Sequence, residues 1–439
     1  MEFNLATTKK VFFVGIGGIG ISAIARMMLE EGKEVFGSDM TQSELTDELV
    51  REGARISIGQ NFDLISKDTD LIIYTTAIKH YDPALLESIM SSGITAKSYP
   101  EMLHIVTANK NTIAVSGTHG KTTTTAMIAK ILITTKKDPS VIVGSLLKEY
   151  NSNFISGKGE HFVVEACEYD RSFLNIEPKI LVVTNIESDH LDYYKDLADI
   201  EHAFTELCMQ TGNAVVCDPN DESVKRMLSD VSSEKGLKVI DYTKYIEKVP
   251  KLFVPGEHNR KNAAAALAVA DALGIPMEEA ANAVAEFQGT WRRLELRGST
   301  AEGAIIYDDY AHHPTEILAS LSALRELYPK GKNKIIVLFQ PHLYSRTKAF
   351  FEGFTTAFNE ADEAYFLPIF FAREEPDPTV SSERLAEAVG KGVPNAKAFS
   401  GFSEAEEFFR NASLKEGDIF VTMGAGEAYK VGDYILALK

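Results

Sequence analysis

The residues with the most explicit chemistry lie together at Ser116-Gly117-Thr118-His119-Gly120-Lys121-Thr122-Thr123-Thr124-Thr125. Gly117 and Gly120 allow backbone conformations that aim successive amides at one point, where phosphate oxygens can sit. Lys121 offers an ammonium to the β- and γ-phosphates of a nucleotide, and the Thr122 hydroxyl offers an oxygen to a divalent cation. The candidate ATP site is therefore Gly117, Thr118, His119, Gly120, Lys121, Thr122 and Thr123. Such a loop works between a strand and a helix N-terminus, whose dipole adds partial positive charge. Thr112–Val115 reads as a short buried strand, and Ala126–Leu132 has the apolar spacing of a helix. The loop is shorter than usual, since Val115 stands where a glycine commonly precedes the Gly-Lys pair. An ordinary glycine turn capped by threonines would not explain why strand and helix flank it as the chemistry requires.

A second glycine run, Gly15-Ile16-Gly17-Gly18-Ile19-Gly20, follows a β run over residues 10–14. Ile21–Glu31 then reads as a helix ended by Gly32, and Glu34–Gly37 as a strand closing on Ser38-Asp39. This is a βαβ opening of dinucleotide-binding type with an acid about 20 positions on, and taken alone it points to NAD. Leu71–Tyr74 is a further strand with Thr75-Thr76-Ala77-Ile78 as its exit, and Pro83–Met90 is a helix.

Strand and helix signals alternate along all 439 residues without repeats. That predicts an α/β protein of roughly three domains. Expected are a Rossmann-like domain at 1–108, a central phosphate-loop ATPase-type parallel sheet at 109–295, and a second Rossmann-like α/β domain at 296–439. In the central domain, His161–Glu165 and Ile180–Asn185 are strands with polar exits, and residues 218–250 look like a peripheral polar excursion. An alanine-rich helix follows Gly256-Glu257-His258-Asn259-Arg260-Lys261-Asn262. The last domain has strands at Ala304–Tyr307, Lys334–Phe339, Glu363–Leu367 and Asp418–Thr422.

The net charge of −18 and a pI near 5.1 exclude a nucleic-acid surface, which needs a basic face. Anionic substrates must then meet local basic clusters. Cys167, Cys208 and Cys217 lack C-x-x-C spacing, which argues against a disulfide framework or zinc site and suits a reducing cytoplasm. Lys9-Lys10 and the apolar run Val11–Ala25 imitate a signal peptide, but its glycines and its continuation into an amphipathic helix favour strand–loop–helix. Export and membrane insertion are not expected.

Glu165 and His190 each lie just past a hydrophobic strand, and the two strand ends are expected to be adjacent. A carboxylate and an imidazole beside Thr122 could hold Mg²⁺, or Mn²⁺ given the nitrogen ligand. The plainer alternatives are a cap or ion-pair partner and a structural histidine. Arg292-Arg293 could clamp phosphates through paired hydrogen bonds, or form a linker paired with Glu295. Asp308-Asp309-Tyr310-Ala311-His312-His313-Pro314 concentrates polar groups in one strand exit. It could bind a ligand, or simply start a helix with capping aspartates and an early proline. Arg346, within Gln340–Thr347, is a candidate carboxylate clamp.

These motifs, in this order, resemble the Mur ligases. The resemblance is carried by Gly15–Ala25, Ser116–Thr125, Glu165–Leu174, Thr184–Tyr194, Gly256–Ala266, Phe287–Glu295, Asp308–Pro314, Gln340–Thr347 and Met423–Tyr429, and so spans the chain. Within the family it is greatest to the ligases that join L-alanine to UDP-N-acetylmuramate. It implies that the first domain holds the UDP-sugar through Gly15, Gly17, Gly18, Ile19, Gly20, Asp39, Thr75, Thr76 and Ala77. Lys121, Glu165, His190 and Arg346 would be catalytic, with Thr122, Glu165 and His190 on the metal. Asn259, Arg293 and Asp309 would join the ATP site, and Tyr310, His312, His342 and Arg346 the amino-acid end. It also implies a cytoplasmic enzyme of peptidoglycan synthesis, working as a monomer or homodimer. Cys167 and Leu343 depart from the family pattern.

Three rivals remain. One is a sister ligase that adds a preformed peptide to the same sugar acid. Another is an NAD-dependent dehydrogenase, which would need neither a second phosphate loop nor Glu165 and His190. A non-enzymatic nucleotide switch would leave the Asp/Tyr/His/Arg cluster of the last domain unexplained.

Overall fold

In the computed structural model the strand signals resolve into three sheets; residues 4–231, 236–371 and 374–438 are described. The first sheet holds β1 (Lys10–Val14), β2 (Glu34–Asp39), β3 (Arg55–Ile58), β4 (Leu71–Tyr74) and β5 (Thr95–Ser98), in the order β3-β2-β1-β4-β5, all parallel. Strand order reverses between β1 and β4, so the exits of these two strands flank the crevice where open α/β sheets place ligands.

The second sheet holds β6 (Asn111–Ser116), β7 (Ser140–Leu147), β8 (Ser152–Ile155), β9 (His161–Glu165), β10 (Ile180–Val183), β11 (Ala214–Cys217) and β12 (Lys238–Asp241). Its order is β12-β11-β10-β6-β9-β7-β8, parallel except for β7 against β8. The strands at its centre, β6, β9 and β10, are near-continuous apolar runs, as expected where helices cover both faces. The segment 218–250 is not a mere excursion. It carries a helix, Glu222–Asp230, and the edge strand β12, while its residues 232–235 lie outside the described residues.

The third sheet holds β13 (Glu295–Ser299), β14 (Ile305–Asp309), β15 (Lys334–Phe339), β16 (Glu363–Phe366), β17 (Asn395–Ala398) and β18 (Asp418–Met423), in the order β13-β14-β18-β15-β16-β17. Only β13 runs antiparallel. Alternation along β15 divides its core. Ile335, Val337 and Phe339 enter one buried cluster, and Ile336 and Leu338 the other.

By their contacts the first two sheets share one compact unit, made of residues up to Glu187, Leu197–Lys248 and Ala264–Val284. Ser188–Asp196, Val249–Ala263 and the chain from Ala285 onward form the other, which contains the third sheet. Within the first unit a buried polar joint ties its two sheets together. Arg26, on helix Ile19–Glu30, bonds Asn153 of β8, and Asn153 Nδ2 donates to Ile19 O (2.5 Å) and Ser22 Oγ (2.9 Å).

Candidate active site

Between β6 and helix Lys121–Thr134 the phosphate loop is held open by its neighbours. Thr118 N donates to Asn185 O and His119 N to Asn185 Oδ1, each at 3.0 Å. Thr184 Oγ1 donates to His119 O at 2.6 Å. Gly117 has φ of 132°, and a Cβ there would run into Thr184, so no larger residue fits. Gly120, at φ 84°, starts the helix without a side-chain cap, leaving the helix's first amides for an anion.

Lys121 Nζ donates to Gly117 O (2.6 Å), Thr118 O (3.0 Å) and Glu168 (2.9 Å). Burial alone would lower its pKa, but Glu168, together with Cys167 and Glu165 nearby, outweighs it and the ammonium is held above its ordinary range. Thr122 is buried, and its Oγ1 donates to Glu165 Oε1 at 2.9 Å. Glu165 Oε2 accepts from Gly144 N at 2.6 Å. A Cβ on Gly144 would lie 2.7 Å from both carboxylate oxygens, so this glycine of β7 makes room for the acid. Thr123 is buried next in line. His119 Nε2 lies 3.5 Å from Glu187 Oε2.

The expectation that Glu165 and His190 end adjacent strands is corrected. β6 runs between β9 and β10. Glu165 closes β9 beside Val115, whereas His190 lies beyond β10 in the segment Ser188–Asp196 of the second unit. There His190 has a left-handed backbone, φ 52°, and its N donates to Asp189 Oδ1 at 2.7 Å.

The first glycine loop has the same design as the phosphate loop. Gly15 N and Ile16 N donate to Ser38 O, and Gly17 N donates to Asp39 Oδ2 at 2.8 Å. Gly18 precedes helix Ile19–Glu30, which contains Ile19 and Gly20, with no side-chain cap. Asp39 is therefore engaged inside the loop, its Oδ1 accepting from Thr41 N at 3.2 Å. Thr75, Thr76 and Ala77 leave the neighbouring strand β4, with Thr75 N bonded to Val14 O.

In the second unit the two arginines part company. Arg292 is buried and donates to Asp308 Oδ2 (2.8 Å), Gly424 O (2.8 Å) and Gly426 O (3.0 Å), with Tyr429 and Tyr310 rings against its guanidinium. It braces the loops after β14 and β18 and is not a free clamp. Arg293 is partly exposed, 3.9 Å from Glu316, and also faces Tyr310. The turn after β14 does start a helix, Pro314–Leu327, but the cap is His313 in a capping box with Glu316, in place of the aspartates. Asp309 is buried, bonded to Ser320 and to Ala311 N, and burial pushes its carboxyl up to about 6.

Tyr310, His312 and His342 form one aromatic row, with His342 stacked on Phe370. Burial lowers His312 to about 4, so it is a neutral imidazole. Arg346 is buried, not exposed. Its Nε (3.2 Å) and Nη2 (2.8 Å) both donate to Asp189 Oδ1, and its Nη1 lies 3.3 Å from His342 Nδ1. Burial would raise the Asp189 carboxyl, but His190 and Arg346 hold it well below the usual carboxylate range. Asn259 is buried at the start of helix Glu257–Ala272, its Nδ2 donating to Pro255 O at 2.7 Å.

Sequence reasoning missed four participants: Gly144, Glu168, Asp189 and Arg292 as a brace. Gly144 had a usable signal, a lone glycine inside the apolar run Val141–Leu147. Asp189 and Glu168 had none beyond standing next to His190 and close to Glu165.

The comparisons agree across the chain. The profile described as Mur ligase family, catalytic domain, matches residues 10–111; Mur ligase middle domain matches 115–249; and Mur ligase, glutamate ligase domain, matches 292–426. UDP-N-acetylmuramate–L-alanine ligase of Clostridium kluyveri is 38% identical over 461 residues, covering 99% of this chain and 100% of that one. Among solved structures, UDP-N-acetylmuramate-alanine ligase MurC of Thermotoga maritima matches with a TM-score of 0.79 at 27% identity, covering 97% of this chain and 98% of that one. A murein peptide ligase of Psychrobacter arcticus, at 20% identity and TM-score 0.71 over 98% and 99% of the two chains, shares the fold. Matches that extend over every sheet and nearly every residue make this chain a member of the Mur ligase family.

Proposed function

We propose that the chain joins L-alanine to the lactyl carboxylate of UDP-N-acetylmuramate at the expense of ATP, in cytoplasmic peptidoglycan precursor synthesis. The observation that carries this reading is Lys121 and the Thr122–Glu165 oxygen pair at one phosphate loop, in a chain whose full-length relatives bear that name. The functional division is 1–108 for the UDP-sugar, 109–295 for ATP and 296–439 for the amino acid.

The sugar-acid carboxylate attacks the γ-phosphorus of ATP, giving an acyl phosphate and ADP. The alanine amine then attacks the acyl carbon, a proton leaves the nitrogen, and phosphate departs. Lys121, kept charged by Glu168, moves a donor from its loop carbonyls to the transferring phosphoryl oxygens. Thr122 Oγ1 and the Glu165 carboxylate are hard oxygen donors that suit Mg²⁺, which would neutralise phosphate charge there. His190 would add a nitrogen ligand, the feature that would admit Mn²⁺. Asn259, Arg293 and Asp309 serve the nucleotide, and Tyr310, His312, His342 and Arg346 the amino acid. Gly15–Gly20 with Thr75–Ala77 takes the UDP-sugar. NAD is disfavoured because ATP has its own loop at Gly117–Thr123, which leaves the first glycine loop for the nucleotide sugar.

Titration calorimetry tests the assignment of the two loops. UDP-N-acetylmuramate should bind the wild type and Lys121→Ala alike, ATP should bind the variant weakly, and NAD should bind neither. Tight NAD binding without UDP-N-acetylmuramate binding would overturn the reading.

A further inference from the structure

Tyr99 is the first residue of helix Tyr99–Thr107, fixed at the exit of β5 by a capping box in which Ser98 and Glu101 bond reciprocally. Its ring lies over the first turn of helix Ile19–Glu30. A Cβ on Gly20 would come within 2.6 Å of Tyr99 Cζ and 2.7 Å of Oη. The hydroxyl end of the ring, not only its edge, is therefore at the uncapped helix start that closes the first glycine loop. On another side the Tyr99 helix packs against residues 169–175, just past the Glu165–Glu168 turn. Cys167 and Glu165 both act electrostatically on the phenol, after burial, to raise its pKa. Tyr99 thus stands between the two loops that the proposed function gives to two different substrates, and all of these residues belong to the first unit.

The hydroxyl has no hydrogen-bond partner among the described residues. Tyr99 is half-buried and its hydroxyl is not sealed among the buried unpaired polar atoms, so the donor is open to solvent or to a ligand that displaces it. Glu165 does not bond it: its two oxygens accept from Thr122 and Gly144 instead. A phenol is protonated at neutral pH, and so the hydroxyl is a donor.

We propose that Tyr99 Oη donates a hydrogen bond to an anionic oxygen of the nucleotide sugar, where that substrate passes from the Gly15–Gly20 loop toward Lys121. This rests on the proposed function. Two oxygens share the required chemistry, one of the diphosphate and one of the lactyl carboxylate. Tyr99→Phe keeps the ring over Gly20 and removes only the donor. Wild type and variant are titrated with UDP-N-acetylmuramate and with UDP, and the three KM values and the melting temperature are measured. The variant should bind UDP-N-acetylmuramate about 10-fold or more weakly, as for a lost hydrogen bond to a charged group. KM for ATP and L-alanine, and the melting temperature, should hold. An equal loss for UDP supports the diphosphate as acceptor, and undiminished UDP binding supports the carboxylate. Equal binding of UDP-N-acetylmuramate by both proteins overturns the inference while sparing the function. So does a variant with lowered melting temperature and all three KM values raised together. A wild type that fails to bind UDP-N-acetylmuramate overturns the function and this inference with it.

Discussion

Asp189 Oδ1 accepts from Arg346 Nε, Arg346 Nη2 and His190 N, so a single oxygen fixes both a guanidinium and a strained backbone turn. One edge of the Arg346 fork is committed to it, and the edge between Nη1 and Nη2 suits an amino-acid carboxylate. Arg346→Lys keeps the charge but loses the planar fork that grips a carboxylate through paired hydrogen bonds. It should raise KM for L-alanine about 10-fold or more while shifting KM for ATP and the UDP-sugar far less. Equal shifts for all three substrates would make Arg346 a structural arginine. Arg292 is of that kind already. Arg292→Ala would strand a buried Asp308 and two loop carbonyls, so unfolding should become easier by about 3–5 kcal/mol, read as a lower denaturation midpoint with an unchanged slope. Sequence raised both uses of the Arg292-Arg293 pair but could not divide them, because which of two adjacent arginines turns inward is decided by Asp308 and the β18 exit.

At the scale of elements, local pattern was most legible where strands are buried on both faces. Leu71–Tyr74, His161–Glu165 and Lys334–Phe339 were readable to the residue, because continuous apolar runs end abruptly in polar exits. Weakly apolar edges such as β3, β12 and β17 were not, since half their side chains face solvent and their pairing is dictated by neighbours. The order of strands was equally hidden. Nothing local says that β6 separates β9 from β10, and this is why Glu165 and His190 were expected at adjacent ends. β7 carries its own prediction. Gly144→Ala would push against both Glu165 oxygens, so kcat should fall about 100-fold with a higher requirement for divalent cation, while UDP-N-acetylmuramate binding stays intact. Wild-type kinetics in this variant would remove Glu165 from the site.

For the molecule as a whole, the α/β class and the succession of sheets followed from the alternation of signals. The grouping of the first two sheets into one unit did not, because it rests on helix Ile19–Glu30 packing against β7 and β8, which lie far off in sequence and share no motif with it. Burial also sets the response of the second unit to acid. His258 and His312 are both held neutral, depressed to about 4. The stability this represents is complete above pH 6.5, where the unfolded histidines are also neutral, and is lost as pH falls from there toward 4. Asp309, raised to about 6, acts in the opposite sense and recovers stability as pH drops below 6. Two histidines outweigh one aspartate, so the melting temperature should fall between pH 7 and pH 5. His258→Gln should make that fall shallower, and an unchanged fall would mean that His258 is not buried neutral.

The central claim is that this chain spends ATP to attach a single amino acid to a sugar acid. Its most direct test is ADP release with UDP-N-acetylmuramate present, measured against L-alanine, L-serine, glycine and an L-alanine-initiated tripeptide. Release should require the UDP-sugar, with the highest kcat/KM for L-alanine and little response to the tripeptide. Preferred turnover of the tripeptide, or release indifferent to UDP-N-acetylmuramate, would contradict it.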